Sequence, residues 1–168
     1  MKSFLRIVFV LAVCFSTVAF AANTKKTKKE TTPGVQLPSS KPSVDKKDLD
    51  DFKADDNFKP FVGAAEEYER GAKEFASQKA RAVANKSVAK SLDRYEKRLK
   101  EKKDRCYKEA EKALKYIREE TEKLKDKKFI SAKSLEKEQK LFETRENAIY
   151  YYIMTAEEHL KEGAKKKN

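Results

Sequence analysis

The chain is poor in the residues that build loops, cross-links and most catalytic sites. Its 168 residues include four Gly, four Pro, two Cys, one His and no Trp. So few Gly and Pro residues exclude a collagen-like chain and disfavour a loop-rich β protein. Zinc-ligand spacings, Gly-rich phosphate loops and serine-hydrolase motifs do not occur. We therefore expect no enzymatic activity, no cofactor and no metal site.

The first 21 residues have the pattern of a secretory signal peptide. Lys2 and Arg6 form a basic start, an uncharged run follows, and a small-x-small cleavage motif ends at Ala21. The uncharged run is shorter than the roughly 20 residues that a membrane-spanning helix needs. The sequence thus predicts a secreted protein with no transmembrane segment in the mature chain. Without Lys2 and Arg6, the net charge falls from +12 to +10.

Residues 22–57 are rich in Lys, Thr, Ser and Asp. Three of the four prolines lie here, and the larger apolar residues are widely scattered: Val35, Leu37, Val44, Leu49 and Phe52. Such a segment buries too little apolar surface to compensate for the entropy lost on ordering. We therefore predict a disordered charged arm over 22–57.

The remainder has the composition of long helices. No Gly or Pro occurs from Ala72 to Glu162, and Ala, Glu, Lys, Leu and Arg dominate. Apolar residues recur every three or four positions, as on one face of a helix. The breaks between these series predict helices at 61–84, 89–126 and 132–162. The predicted fold is all-α, an elongated antiparallel three-helix bundle or long helical hairpin over 58–163, with a basic tail at 164–168.

The predicted helix ends rest on a few residues. Ser131 can cap the third helix, with Phe129 and Ile130 folding back as a hydrophobic staple. Gly163 predicts the end of that helix. Asn85-Lys86-Ser87 is a polar patch in which either a turn or a continuous helix fits. It is also an N-glycosylation sequon with Asn85 as acceptor, usable in a eukaryotic source if exposed.

Cys106 and His159 are the two candidates for reactive chemistry. Once the leader is removed, Cys106 has no cysteine partner in its own chain. It continues an apolar series, so we interpret it as a core residue or as an intermolecular disulfide, and not as a nucleophile. His159 is expected to be a solvated or half-buried residue of the third helix.

A run of three tyrosines lies in the most apolar stretch after the leader. Consecutive helical residues point about 100° apart, so at least one ring must be exposed or contact a partner. Core packing is the favoured interpretation. The alternative is a lipid or small apolar ligand between the helices. The residues concerned are Phe142, Ile149, Tyr150, Tyr151, Tyr152 and Ile153.

Lysine clusters at the two ends of the mature chain are candidate polyanion contacts. Neither contains an acidic residue: Lys25, Lys26, Lys28, Lys29, Lys165, Lys166 and Lys167. Elsewhere acids and bases are interspersed, with acid-first pairs four residues apart such as Glu96 and Lys100. For a secreted protein the relevant polyanions are sulfated glycans or anionic lipid surfaces, and nucleic acid is not expected.

Aspartates near the start of the helical region are candidate ligands for weakly bound calcium: Asp48, Asp50, Asp51, Asp55 and Asp56. They lack the central Gly and final Glu of a calcium-binding loop, so a dedicated site is not expected.

The junction between the arm and the helices reads Lys59-Pro60-Phe61-Val62-Gly63-Ala64. A leader, a polar arm and this entry to about 105 helical residues together resemble the nematode SXP/RAL-2 family of secreted proteins. The resemblance implies an all-helical, secreted protein associated with cation binding. It transfers no functional residue to this chain.

The sequence as a whole predicts a secreted, non-enzymatic helical protein that acts through its surface. Its partner would be an unidentified protein, a second copy in a homodimer, or a polyanion. The alternative is a helical carrier of a lipid or small hydrophobic ligand.

Overall fold

The computed structural model describes residues 34–83, 85–126 and 131–165, with side chains to residue 162. All of them belong to one unit, Thr31–Asn168. Across these ranges the chain forms helices and no strand. The helices are α1 Lys46–Ala54, α2 Lys59–Ala82, α3 Lys86–Lys125 and α4 Ala132–Lys165. The all-α class is confirmed, and the three long helices lie within three residues of their predicted ends.

The starts of α2 and α3 follow from local chemistry. Pro60 lies in the first turn of α2, where a backbone N–H would have no helical partner in any case. Asn85 caps α3, because its side-chain oxygen accepts a hydrogen bond from the Ser87 backbone N at 2.9 Å. The patch around Asn85 is therefore a break between two helices.

Of the two predicted ends of α4, the first is confirmed and the second is wrong. Ser131 Oγ accepts from the backbone N of Ser134 at 3.2 Å, which confirms the predicted cap. The staple residues 129–130 lie outside the described residues. The predicted stop at Gly163 is wrong, because α4 continues to Lys165. No described glycine has the positive φ of a glycine that ends a helix.

The three long helices pack in an up-down-up arrangement. Phe61 contacts Tyr152 and the Tyr68 hydroxyl donates to Glu157 at 2.8 Å, so α2 and α4 run parallel. Phe58 contacts Tyr116 and Glu67 pairs with Arg105, so α3 runs antiparallel to both. The interior is apolar. Its largest fully buried side chains are Phe58, Phe61, Tyr68, Cys106, Ile149 and Ile153.

The structure corrects the predicted extent of the disordered arm. Residues 34–58, which we name the strap, pack against the helices, first without regular secondary structure and then as α1. Phe52 is 3% exposed and stacks on Phe58 with ring centroids 4.5 Å apart. The other scattered apolar residues also pack against the core: Val35, Leu37, Val44 and Leu49. Apolar residues that are sparse in sequence thus collect on one side of the strap. Residues 22–33 lie outside the described residues.

At each end of the bundle two helices continue past the third. The spacing of Tyr68 and Glu157 places the last residue of α4 beside Ala76, so α2 and α3 run on beyond it. We name residues 73–98 the α2–α3 arm. At the other end, Phe58 at the start of α2 contacts Tyr116, and α3 then continues with α4. Residues 117–142 are the α3–α4 arm.

Candidate functional site

A partly buried carboxylate joins the three long helices. Glu157 Oε1 on α4 accepts from the Tyr68 hydroxyl at 2.8 Å and from the Tyr107 hydroxyl at 3.3 Å, and lies 2.8 Å from Lys103 Nζ. Burial would raise the pKa of Glu157, but hydrogen bonds from these three side chains outweigh it and hold the pKa below its usual value. The carboxylate is thus kept ionised and engaged by donors from α2 and α3, which suits a structural junction.

Cys106 lies in the interior beside this junction. The residue is 0% exposed. Burial raises the pKa of the thiol to about 12, and the charge of Glu157 adds to the effect. A protonated, enclosed thiol is unreactive. This burial argues against the predicted intermolecular disulfide in the folded bundle and favours the other interpretation, a core residue.

His159 is half-buried, as one of its two interpretations predicts. Its Nε2 lies 3.4 Å from Glu69 Oε1, and that same carboxylate oxygen is 2.6 Å from Lys73 Nζ. Beside it lies an open groove of about 520 Å³ between α2 and α4, lined by Lys73, Ala76, Ser77, Ala80, Arg81, His159 and Glu162. The histidine therefore belongs to a polar surface cluster with Glu69 and Lys73 at the edge of this groove.

The three consecutive tyrosines each find a different neighbour. The Tyr150 hydroxyl donates to a glutamate one turn earlier at 2.8 Å. The Tyr151 ring lies under Lys41 of the strap, whose Nζ is 4.5 Å from the ring centroid. Tyr152 packs against Phe52 of the strap with centroids 6.2 Å apart. Two of the three rings therefore contact the chain's own strap, which takes the place of the partner that the sequence analysis considered.

The rest of the predicted apolar-ligand set also lies in packed surroundings. Ile149 and Ile153 are 0% exposed, and Phe142 is 8% exposed. Phe142 borders an open groove of about 320 Å³ between α3 and α4, whose other lining residues are mostly polar or charged. No residue from 144 to 160 is exposed, because α2, α3 and the strap surround this part of α4.

Ion pairs fasten the strap to the helices and engage two of the aspartates considered as calcium ligands. Arg145 lies 2.6 Å from Asp55, and Asp56 pairs with Lys59. The other three lie along α1: Asp48, Asp50 and Asp51. In the ranges that the structure describes, no three His, Cys, Asp or Glu side chains converge as metal ligands do.

The structure covers the remaining predicted sites only in part. Asn85 is exposed in the break between α2 and α3. The lysine clusters at the chain ends lie outside the residues whose side chains are described: Lys25, Lys26, Lys28, Lys29, Lys165, Lys166 and Lys167.

The two arms differ in charge although they match in size. Each has 26 residues and eight Lys or Arg, but the α2–α3 arm has three Asp or Glu and the α3–α4 arm has six. Their net charges are therefore +5 and +2. In the α3–α4 arm, Lys123 is held by Glu120 at 2.7 Å. Positive charge on the described unit is thus concentrated at one end.

The basic residues of α3 in the α2–α3 arm form a regular row. Lys86, Lys90, Arg94 and Lys97 are all exposed and follow one another at helical spacing; we name them the basic ladder. Among the residues that the structure describes, none of the four forms an ion pair. Sequence reasoning missed this row. The available signal was the spacing itself, with no acid four residues before any of the first three.

Comparison of the chain with protein-family models, curated proteins and solved structures returns no match. The resemblance to the SXP/RAL-2 family stays a prediction. None of the helices in the described ranges combines the length and apolar character needed to cross a membrane.

Proposed function

We propose that this is a secreted, non-enzymatic helical protein that works by binding an anionic polymer through its surface. The observation that carries the proposal is the concentration of charge in the α2–α3 arm. That arm holds a net +5, whereas the rest of residues 34–162 sums to −1. A charge gradient of this kind steers a polyanion toward one end of the unit.

The central part of the unit supports the same conclusion. Its polar side chains are engaged within the protein, as in the Glu157 junction and the ion pairs of the strap. The described buried side chains leave no polar atom without a hydrogen-bond partner. The groups available for a ligand are therefore the charges on the surface.

Self-association and ligand carriage have less support. Interfaces between proteins bury an apolar centre, and the only large hydrophobic residues exposed in the described ranges are Val83 and Leu141. Two α2–α3 arms would also repel each other. A carrier would need space around residues 142–154, where the strap and the helices already fill the surroundings of Tyr152 and Ile153.

The test is affinity chromatography with matched ligands. Because the leader predicts secretion, sulfated glycans are the first polymers to examine. We expect the protein to be retained on immobilised dextran sulfate and on heparin, to elute earlier as salt rises, and to pass through unmodified dextran. If neither sulfated column retains the protein at about 0.1 M salt, the proposal is contradicted.

A further inference from the structure

We propose that the basic ladder on α3 is the contact site for a linear sulfated or carboxylated polysaccharide, which lies along the helix axis. This inference rests on the proposed function and deepens it, because it assigns a site and a ligand geometry. The site consists of Lys86, Lys90, Arg94 and Lys97.

The geometry of the row sets the shape of its ligand. Steps of four, four and three residues place the side chains on one face of α3, about 4.5–6 Å apart along the axis. The row covers 12 residues, and the 11 steps from the first to the last rise about 16 Å. A straight, narrow row of this length fits an extended chain with regularly repeated anionic groups.

The row faces away from the bundle. The apolar residues of the same segment are half-buried on the opposite side of the helix: Val88, Leu92 and Tyr95. All four ladder residues are exposed. A polymer can therefore reach the ladder without any change in the helical packing.

The charges of the ladder form no ion pair among the described residues. Several cations elsewhere on the unit are held by carboxylates, as Lys73 is by Glu69 at 2.6 Å and Arg105 is by Glu67 at 3.0 Å. Asp93 lies beside the ladder on the same helix, yet it forms no ion pair with the ladder among the described residues. An external anion can therefore bind the ladder without displacing a carboxylate of the protein.

Helix stability does not account for the position of these charges. Lys86 is the first residue of α3, and the first turn contains no acidic residue. The amino end of a helix carries partial positive charge, so a cation there is unfavourable. A row of basic residues that begins at this end works against the helix and in favour of an external anion.

Polysaccharide is favoured over the two other classes of polyanion. Single-stranded nucleic acid is bound with aromatic rings for base stacking, and Tyr95, the aromatic residue of this part of α3, lies on the opposite face. Membrane surfaces are bound with apolar residues that enter the lipid, and no large apolar side chain within the ladder is exposed.

The test compares two variants with the same loss of charge. The ladder variant carries Lys86→Gln, Lys90→Gln, Arg94→Gln and Lys97→Gln. The control carries four exposed lysines of the α3–α4 arm changed to glutamine: Lys125, Lys133, Lys137 and Lys140. Glutamine keeps a high helix propensity, and circular dichroism verifies the fold of both proteins.

Affinity for heparin oligosaccharides is measured at one salt concentration. We expect the ladder variant to lose at least about ten-fold in affinity and the control less than about three-fold. Wild-type affinity should rise with oligosaccharide length until the chain spans about 16 Å. Equal losses in both variants would overturn the inference while leaving polyanion binding intact. Absence of wild-type binding would overturn the proposed function as well.

Three further measurements separate the alternatives. Vesicles of phosphatidylserine and phosphatidylcholine, and a single-stranded DNA oligonucleotide, are offered to the same three proteins. Stronger dependence on the ladder for either of these ligands than for heparin would contradict a polysaccharide site. A variant with glutamine at the seven end lysines is the last comparison. If it alone abolishes heparin binding, the ladder is not the site.

Discussion

The α2–α3 arm and the α3–α4 arm have the same length and the same number of basic residues, yet they present different surfaces. The α3–α4 arm has twice as many acids, and one of its lysines is held by a neighbouring glutamate at 2.7 Å. The α2–α3 arm has fewer acids, and four of its cations form a regular row on one face of α3 without ion pairs among the described residues. The number of lysines in a segment therefore says little about its affinity for anions, because the arrangement of nearby carboxylates decides how much charge is available.

The largest expected effect concerns the centre from which both arms extend. Phe58 is 0% exposed and contacts Phe52 and Tyr116. Phe58→Ala should lower the free energy of unfolding by about 3–5 kcal/mol, because it leaves a cavity among these rings. Chemical denaturation measures this. Leu141→Ala, at an exposed site of the α3–α4 arm, should cost far less. Similar losses in both variants would mean that the arms are not extensions of a shared core.

A second prediction concerns the junction that holds the helices together below the arms. The pKa of Glu157 is lowered in the folded protein, so its stabilising contribution is present above its ordinary value of 4.5 and is lost as the pH falls through the folded value. Glu157→Gln should therefore be less stable than wild type by about 1–3 kcal/mol at neutral pH. The difference should shrink in acid.

Denaturation at a series of pH values tests this prediction. Glu158→Gln is the control, because Glu158 is half exposed and pairs only with Lys41 of the strap in the described structure. A Glu157→Gln protein whose stability follows that of wild type at every pH would contradict the assigned junction.

The comparison of the arms can be sharpened by making their charges equal. Glu119→Gln, Glu120→Gln and Glu122→Gln together raise the α3–α4 arm from +2 to +5. If carboxylates decide the availability of its lysines, affinity for heparin should rise by about three-fold to ten-fold. If only the basic ladder binds heparin, the same three changes should leave the affinity for heparin unchanged. Heparin elution at increasing salt distinguishes the two results.

The smallest effect expected has opposite signs for stability and for binding. Lys86→Glu places an anion in the first turn of α3 and should stabilise the helix by about 0.3–1 kcal/mol. The same change should weaken heparin binding, because it reverses one charge of the ladder. Thermal denaturation and heparin elution are measured on one preparation. Loss of stability on this substitution would contradict the argument that the ladder opposes the helix dipole.

The long helices could be predicted from the sequence because their signals are local. Apolar spacing, helix-forming residues and the Ser131 cap each act within a few turns, so α2, α3 and α4 were placed closely. The helix end predicted at Gly163 was wrong because a glycine can also adopt ordinary helical φ. Its role depends on the residues that follow.

The strap and the junction could not be predicted in the same way. Phe52, Val44 and Leu37 look isolated in sequence, and their burial depends on helices that come much later in the chain. Likewise, Glu157 has a lysine four residues later, yet its partners in the structure lie on α2 and α3. Local spacing cannot identify partners that are brought together by the fold. The ladder, by contrast, has a local signal that only requires counting the acids around each basic residue.

The enclosure of α4 has a consequence for the order in which the molecule is completed. Lys41 and Glu158 are 117 residues apart in sequence, and their ion pair closes the strap over the last helix. During synthesis, the strap emerges long before the helix that it covers. The strap cannot complete its contacts until α4 has been synthesised, so contacts of such long range form late. Until then Phe52 can pack only against Phe58 and Phe61, and a chain released before α4 is made lacks the helix that Lys41 binds.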